Sequence, residues 1–116
     1  MHELSIASSL VEIVTEAAIK AHAVKVTMVR LRLGALAGVS ADSLQFCYDV
    51  ATADTILAGS RLVVEHLPVV IHCPTCVREI GIPDLQSFAC PVCGTASADI
   101  RQGLELEIES IEIDEQ

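Results

Sequence analysis

The sequence predicts an α+β fold: two helices packed on a small three-stranded sheet, with an inserted four-cysteine zinc-ribbon-like domain. Three observations predict it. Two stretches repeat apolar residues at intervals of three and four, three stretches alternate with period two, and two Cys-x-x-Cys pairs fall between the second and third alternating stretches. With 116 residues the chain has the length of one domain carrying a small insertion.

The first helix is read from residues 4 to 21, where Leu4, Ala7, Leu10, Val11, Val14, Ala17, Ala18 and Ala21 form an apolar stripe and Glu12, Glu16 and Lys20 occupy the other face. Residues 24 to 33 alternate, with Thr27, Val29, Leu31 and Leu33 on one side and Met28, Arg30 and Arg32 on the other, as a half-buried strand does. Gly34-Ala35-Leu36-Ala37-Gly38 breaks that pattern, and Ser40 caps a second helix running to about Ala53 with Leu44, Cys47, Tyr48 and Ala51 inward. Residues 61 to 67 alternate again after the Gly59-Ser60 turn. In residues 104 to 113, Leu104, Leu106 and Ile108 share one parity and Ile111 and Ile113 the other. The slip at Glu109-Ser110 predicts a β-bulge that returns the last two to the inner face. Residues 1–68 and 104–116 therefore make one α/β domain, and residues 69–103 are an insertion.

That insertion is too short to fold on apolar burial alone, because units below about 40 residues normally need a metal or disulfides. It supplies what it needs: Cys73-Pro74-Thr75-Cys76 and Cys90-Pro91-Val92-Cys93-Gly94. Each Cys-x-x-Cys turn sets two thiolates on one side of a tight loop, and two such turns complete a tetrahedral four-sulfur site that suits Zn(II). A redox dithiol would need a helix N-terminus or a βαβ setting, and neither flank offers one. With four protein ligands no position is open to water, so the site holds the fold and does not catalyse. His72, next to Cys73, points to the opposite face of a strand, and His66 and His22 read as structural. Cys47 reads as a small core hydrophobe.

Composition narrows the function. Hydrophobic residues make up 52% of the chain, which excludes disorder as its main state, and Phe46, Tyr48 and Phe88 are too few rings to stack a nucleic-acid strand. The net charge is −9, with six acids and no Lys or Arg from residue 104 onward, a field that repels phosphate and draws cationic metals and basic partner surfaces. Nucleic acid is therefore not an expected partner. No apolar run approaches the ~20 residues of a membrane helix, so no membrane insertion is expected. Glu3, Glu12 and Glu16 without an early basic cluster do not make a signal peptide. The expected compartment is the cytoplasm, where paired cysteines bind metal more often than they form disulfides.

A second metal site is legible at the start. The Met1 amine and the His2 amide nitrogen can close a five-membered chelate, and that amide with His2 Nδ1 a six-membered one. Three nitrogens then lie in a plane that favours Ni(II) or Cu(II), with Glu3 able to add a donor.

Taken together, Met1-His2-Glu3-Leu4-Ser5, Leu33-Gly34-Ala35, Ser43-Leu44 with Phe46, both cysteine knuckles and Ile111-Glu112-Ile113 resemble the HypA family of nickel metallochaperones over nearly the whole chain. The resemblance implies a cytoplasmic non-enzyme that binds Ni(II) as cargo at its N-terminus through His2, with Met1 and Glu3 contributing, and structural Zn(II) on Cys73, Cys76, Cys90 and Cys93. It implies as partners a HypB-type nickel-handling GTPase and the nickel-iron hydrogenase large-subunit precursor. Two departures are visible. Where family members often carry an acid near position 40, this chain has Ser40, with Asp42 two residues on. Where some carry histidines flanking the zinc cysteines, linked to urease maturation or pH response, it has Val77-Arg78 and Gly94-Thr95. The rival reading is a zinc-ribbon interaction adaptor with no nickel role.

Overall fold

The structure, a computed structural model, describes residues 3–83, 85 and 87–115. Its elements are α1 (Glu3–Lys20), β1 (Ala23–Gly34), α2 (Ala41–Thr52), β2 (Arg61–Leu67), β3 (Val70–Cys73), β4 (Arg78–Gly81), β5 (Ile100–Gln102) and β6 (Leu106–Glu115). They form two three-stranded sheets, ordered β2-β1-β6 and β4-β3-β5. The chain divides into two compact units, one holding the residues up to Arg32, Gly38–Glu65 and those from Glu107 on, the other Leu33–Ala37 and His66–Leu106.

In the first unit the helices and the sheet share one aliphatic core. α1 buries Ala7, Leu10, Val14 and Ala18, a stripe repeating at three, four and four. It is narrower than the alternation of types suggests: Leu4 is 52% exposed, and Ile6 packs against the core at that end instead. α1 ends at Lys20, and His22, with φ of +58°, turns the chain away from it. Ser40 caps α2 as expected, its Oγ accepting from the Ser43 amide at 3.3 Å. Leu44 and Tyr48 are fully buried, and the Tyr48 hydroxyl meets Ser60 Oγ at 2.6 Å, so the ring's polar end is satisfied inside the core.

Val29, Leu31 and Leu33 of β1 are buried as their alternation predicts, yet Val26 and Met28, of the other parity, are buried too. The Val26 amide donates to Ile56 O at 3.0 Å, so the beginning of β1 is held by the loop after α2, out of phase with the rest of the strand. In β6, Ile108, Ile111 and Ile113 all pack against the core, both parities on one side, as the phase slip at Glu109-Ser110 requires. Leu104 and Leu106 do not join them: at 61% and 39% exposed, one precedes the strand and the other is its first residue. Thr27 Oγ1 donates to Glu112 O at 3.2 Å, and Arg32 is ion-paired to Glu107, which sets β6 antiparallel to β1.

The second unit is built on the β3–β4 hairpin, with Ile71 opposite Ile80, His72 opposite Glu79 and Cys73 opposite Arg78. β5 pairs antiparallel with β3 on its other side. Its small core joins Val69, Ile71 and Ile82 to Leu36, Phe88 and Ile100. Residues 33–37, read from the sequence as part of the helical domain, are drawn in here by backbone bonds from Ala35 N to Leu67 O (3.0 Å) and Leu36 N to Gly103 O (2.7 Å). Gly34 is required at that turn. A Cβ on it would lie 2.2 Å from the Gly103 carbonyl.

Candidate metal centre

The first knuckle is the turn of the β3–β4 hairpin. Val77 N donates to Cys73 O at 2.8 Å, closing the loop, and the Cys76 amide lies 3.4 Å from Cys73 Sγ. The second knuckle repeats the plan, with Gly94 N donating to Cys90 O at 2.8 Å and an Ala89–Ala96 bridge beside it. In both, the residue after the second cysteine is left-handed: φ is +53° at Val77 and +79° at Gly94. Pro74 and Pro91 fix φ at the residue after the first cysteine of each turn.

Folding these two turns together gathers the four sulfurs of Cys73, Cys76, Cys90 and Cys93 within 4.8 Å of one another. Cys73 Sγ lies 3.5 Å from Cys93 Sγ, and Cys76 Sγ 3.9 Å from Cys90 Sγ. A zinc tetrahedron with bonds near 2.3 Å has sulfur–sulfur edges of about 3.8 Å. The donor set and its size thus fit zinc. Among the described residues no other set of His, Cys, Asp and Glu is gathered in this way. His72 stands opposite Glu79 on β3, and His66 is exposed on β2.

The sulfurs are not equivalent. Cys73 and Cys90 are buried, packed with Ile80, whereas Cys76 is half-buried and Cys93 is exposed. The Thr95 hydroxyl, 3.2 Å from Cys93 Sγ, holds that thiol down to about 6, and the Thr95 backbone adds to the effect. Cys76, whose thiol hydrogen-bonds to the Cys93 sulfur, is pushed up to about 12. In the metal-free cluster the proton therefore leaves Cys93 first and stays on Cys76.

Of the residues read as the N-terminal site, Met1 and His2 lie outside the described residues. Glu3 is the first residue of α1, and its Oε2 accepts from the Ser40 amide at 3.2 Å. The start of α1 is thereby tied to the head of α2, at the very position where the chain lacks an acid of its own. Sequence reasoning missed this link and the two threonines beside the sulfurs. A carboxylate one turn ahead of a helix stripe and a threonine in or next to each knuckle are weak signals, since partners 37 residues apart carry no periodicity.

The family model described as "Hydrogenase/urease nickel incorporation, metallochaperone, hypA" matches residues 1–113. The chain belongs to the HypA family. A hydrogenase maturation factor HypA of Roseiflexus sp. (strain RS-1) is 50% identical over 115 residues, 99% of this chain and 94% of that one. That of Chloroflexus aggregans is 45% identical over 112 residues, 97% and 98% of the two chains. The fold is shared with the solution structure of the Ni metallochaperone HypA from Helicobacter pylori, at TM-score 0.69 and 23% identity, each chain covered in full. HypA membership makes this chain a nickel metallochaperone of hydrogenase maturation, with a four-cysteine site compatible with structural zinc. The family is one of metallochaperones, not of catalysts. No described helix is long and apolar enough to cross a membrane.

Proposed function

We propose that Ni(II) is taken up at the N-terminus, by the Met1 amine, the His2 amide nitrogen and His2 Nδ1, with Glu3 as a further donor, and handed to the hydrogenase precursor. The observation that carries this reading is the Glu3–Ser40 bond. It fixes a carboxylate one residue after His2 to the head of α2, so the proposed chelate is attached to a rigid frame. A carboxylate has about four lone-pair sites, so one bond to an amide does not prevent it from meeting a metal. Two chelate rings sharing a deprotonated amide favour a square-planar ion, which selects nickel over tetrahedral zinc.

Cys73, Cys76, Cys90 and Cys93 hold zinc as a structural ion in this reading, and the two metals occupy separate sites. The helical unit serves nickel, and residues 69–103, with 33–37, 66–68 and 104–106 in the same compact unit, are the zinc domain. The partners are a HypB-type GTPase and the large-subunit precursor of nickel-iron hydrogenase, met in the cytoplasm. A held ion becomes cargo only if its ligands can be replaced one at a time, and a terminal chelate allows this more readily than a four-sulfur cage with two buried sulfurs. The test is calorimetric titration of Ni(II) into zinc-loaded protein and its His2→Ala variant. Loss of nickel binding at unchanged zinc content supports the proposal. Undiminished binding refutes it and leaves the adaptor reading.

A further inference from the structure

The four-sulfur cluster is asymmetric in a way its motif does not reveal. Thr75, inside the first knuckle, has its Oγ1 2.9 Å from Oγ1 of Thr95, which follows the second knuckle. Thr95 Oγ1 is in turn 3.2 Å from Cys93 Sγ. Thr95 is itself anchored, since its carbonyl accepts from the Cys90 amide at 2.9 Å. Without a metal the Thr95–Cys93 contact has Cys93 Sγ as donor and Thr95 Oγ1 as acceptor, and either threonine can donate to the other. A metal-bound sulfur is a thiolate and can only accept, so with metal in place the bond would turn round, Thr95 donating to Cys93 and Thr75 to Thr95.

Cys93 is the one exposed cysteine of the four. A competing ligand reaches Cys93 before it reaches the buried Cys73 and Cys90. We infer that Cys93 is the sulfur through which the four-cysteine site exchanges its metal, and that the Thr75–Thr95 hydroxyl pair is the positioning element that slows that step. The inference rests on zinc occupying the site, as proposed above. In the exchange the metal–Cys93 bond breaks, the sulfur keeps the electron pair and takes a proton from water, and a donor atom of the incoming ligand fills the vacated position. No oxidation state changes. A hydroxyl hydrogen-bonded to the sulfur draws charge from it and makes it a poorer nucleophile. The threonine pair also joins the two knuckles, residues 75 and 95, so the sulfur stays near the metal after the bond opens.

The experiment uses the zinc-loaded full chain with 4-(2-pyridylazo)resorcinol as acceptor and, separately, substoichiometric N-ethylmaleimide followed by peptide mass mapping. Among the four knuckle cysteines the expected first adduct is on Cys93; Cys47, outside the cluster, is scored separately. Thr95→Val, nearly isosteric, is expected to speed zinc transfer and Cys93 alkylation about tenfold, the factor for one hydrogen bond to a charged group. Thr75→Val gives a smaller increase, and Thr95→Ser, which keeps the hydroxyl, stays near the parent rate. A first adduct on Cys73, Cys76 or Cys90 overturns the inference. So does a Thr95→Val protein with full zinc content that transfers at the parent rate, or a Thr95→Ser protein as fast as Thr95→Val. A parent protein that cannot hold one zinc refutes the zinc reading itself, and this inference with it.

Discussion

The two knuckles have the same hydrogen bond and the same left-handed residue, but one has glycine there and the other valine. Holding a non-glycine residue in that region costs about 1–2 kcal/mol, and a β-branched side chain belongs at the upper end. Val77 is 74% exposed, so removing its side chain gives up little burial. Glycine's extra freedom in the unfolded chain offsets about 0.5–1 kcal/mol. Val77→Gly is therefore expected to stabilise the zinc unit by about 0.5–1.5 kcal/mol, or to tighten zinc roughly two- to tenfold. The reverse change is equally clean. A Cβ at Gly94 meets nothing within 4 Å, so Gly94→Val tests chiefly the φ of +79° and is expected to weaken zinc by a similar factor. Chelator competition on the zinc-loaded proteins measures both. Weaker zinc in Val77→Gly, or unchanged zinc in Gly94→Val, would refute the argument that backbone strain at these two positions sets the cost of the fold.

Tyr48→Phe is expected to cost about 1–3 kcal/mol, because the nearly buried Ser60 hydroxyl loses its partner, and Tyr48→Phe with Ser60→Ala should recover most of that; urea unfolding reads both. Gly34→Ala forces a Cβ into the Gly103 backbone and should cost about 3 kcal/mol or more, seen as lost thermal stability or lost folded yield. Zinc affinity should fall with pH. Cys76, pushed up to about 12, holds its proton in the metal-free site throughout the neutral range and must release it on binding, which by itself weakens apparent affinity about tenfold per unit of acidification. Cys93, lowered to about 6, is already a thiolate above that pH and adds a further proton only below it, so the slope steepens there. A pH-independent affinity between 6 and 8 would contradict this.

Much of the architecture is legible because it is periodic. The α1 stripe, the Ser40 cap and the positions of strands β1 and β2 follow from spacing alone, though β2 buries Leu62 and Leu67, of opposite parity, and the slip at Glu109-Ser110 shows even where β6 changes phase. The knuckles are legible because tetrahedral zinc needs four thiolates and two short turns supply them. What spacing does not reveal is tertiary. Val26 is inward because its amide meets Ile56, not because of its parity. Residues 33–37 join the second unit through bonds to Leu67 and Gly103. The Glu3–Ser40 bond and the threonine pair at the sulfurs join residues far apart in the chain, and no local pattern announces them.

In the function proposed above, nickel is held by the terminal amine together with His2. Acetylating the terminus removes the amine donor and touches no side chain. Nickel titration of protein with a native, untagged Met1, followed by absorption spectroscopy and repeated on the acetylated form, tests the claim most directly. The account predicts one Ni(II) with a square-planar spectrum on the native protein, weakening as pH falls because an amine and an amide must lose protons. It predicts loss of that site on acetylation with zinc content unchanged. One Ni(II) bound by the acetylated protein with undiminished affinity and the same spectrum would contradict it.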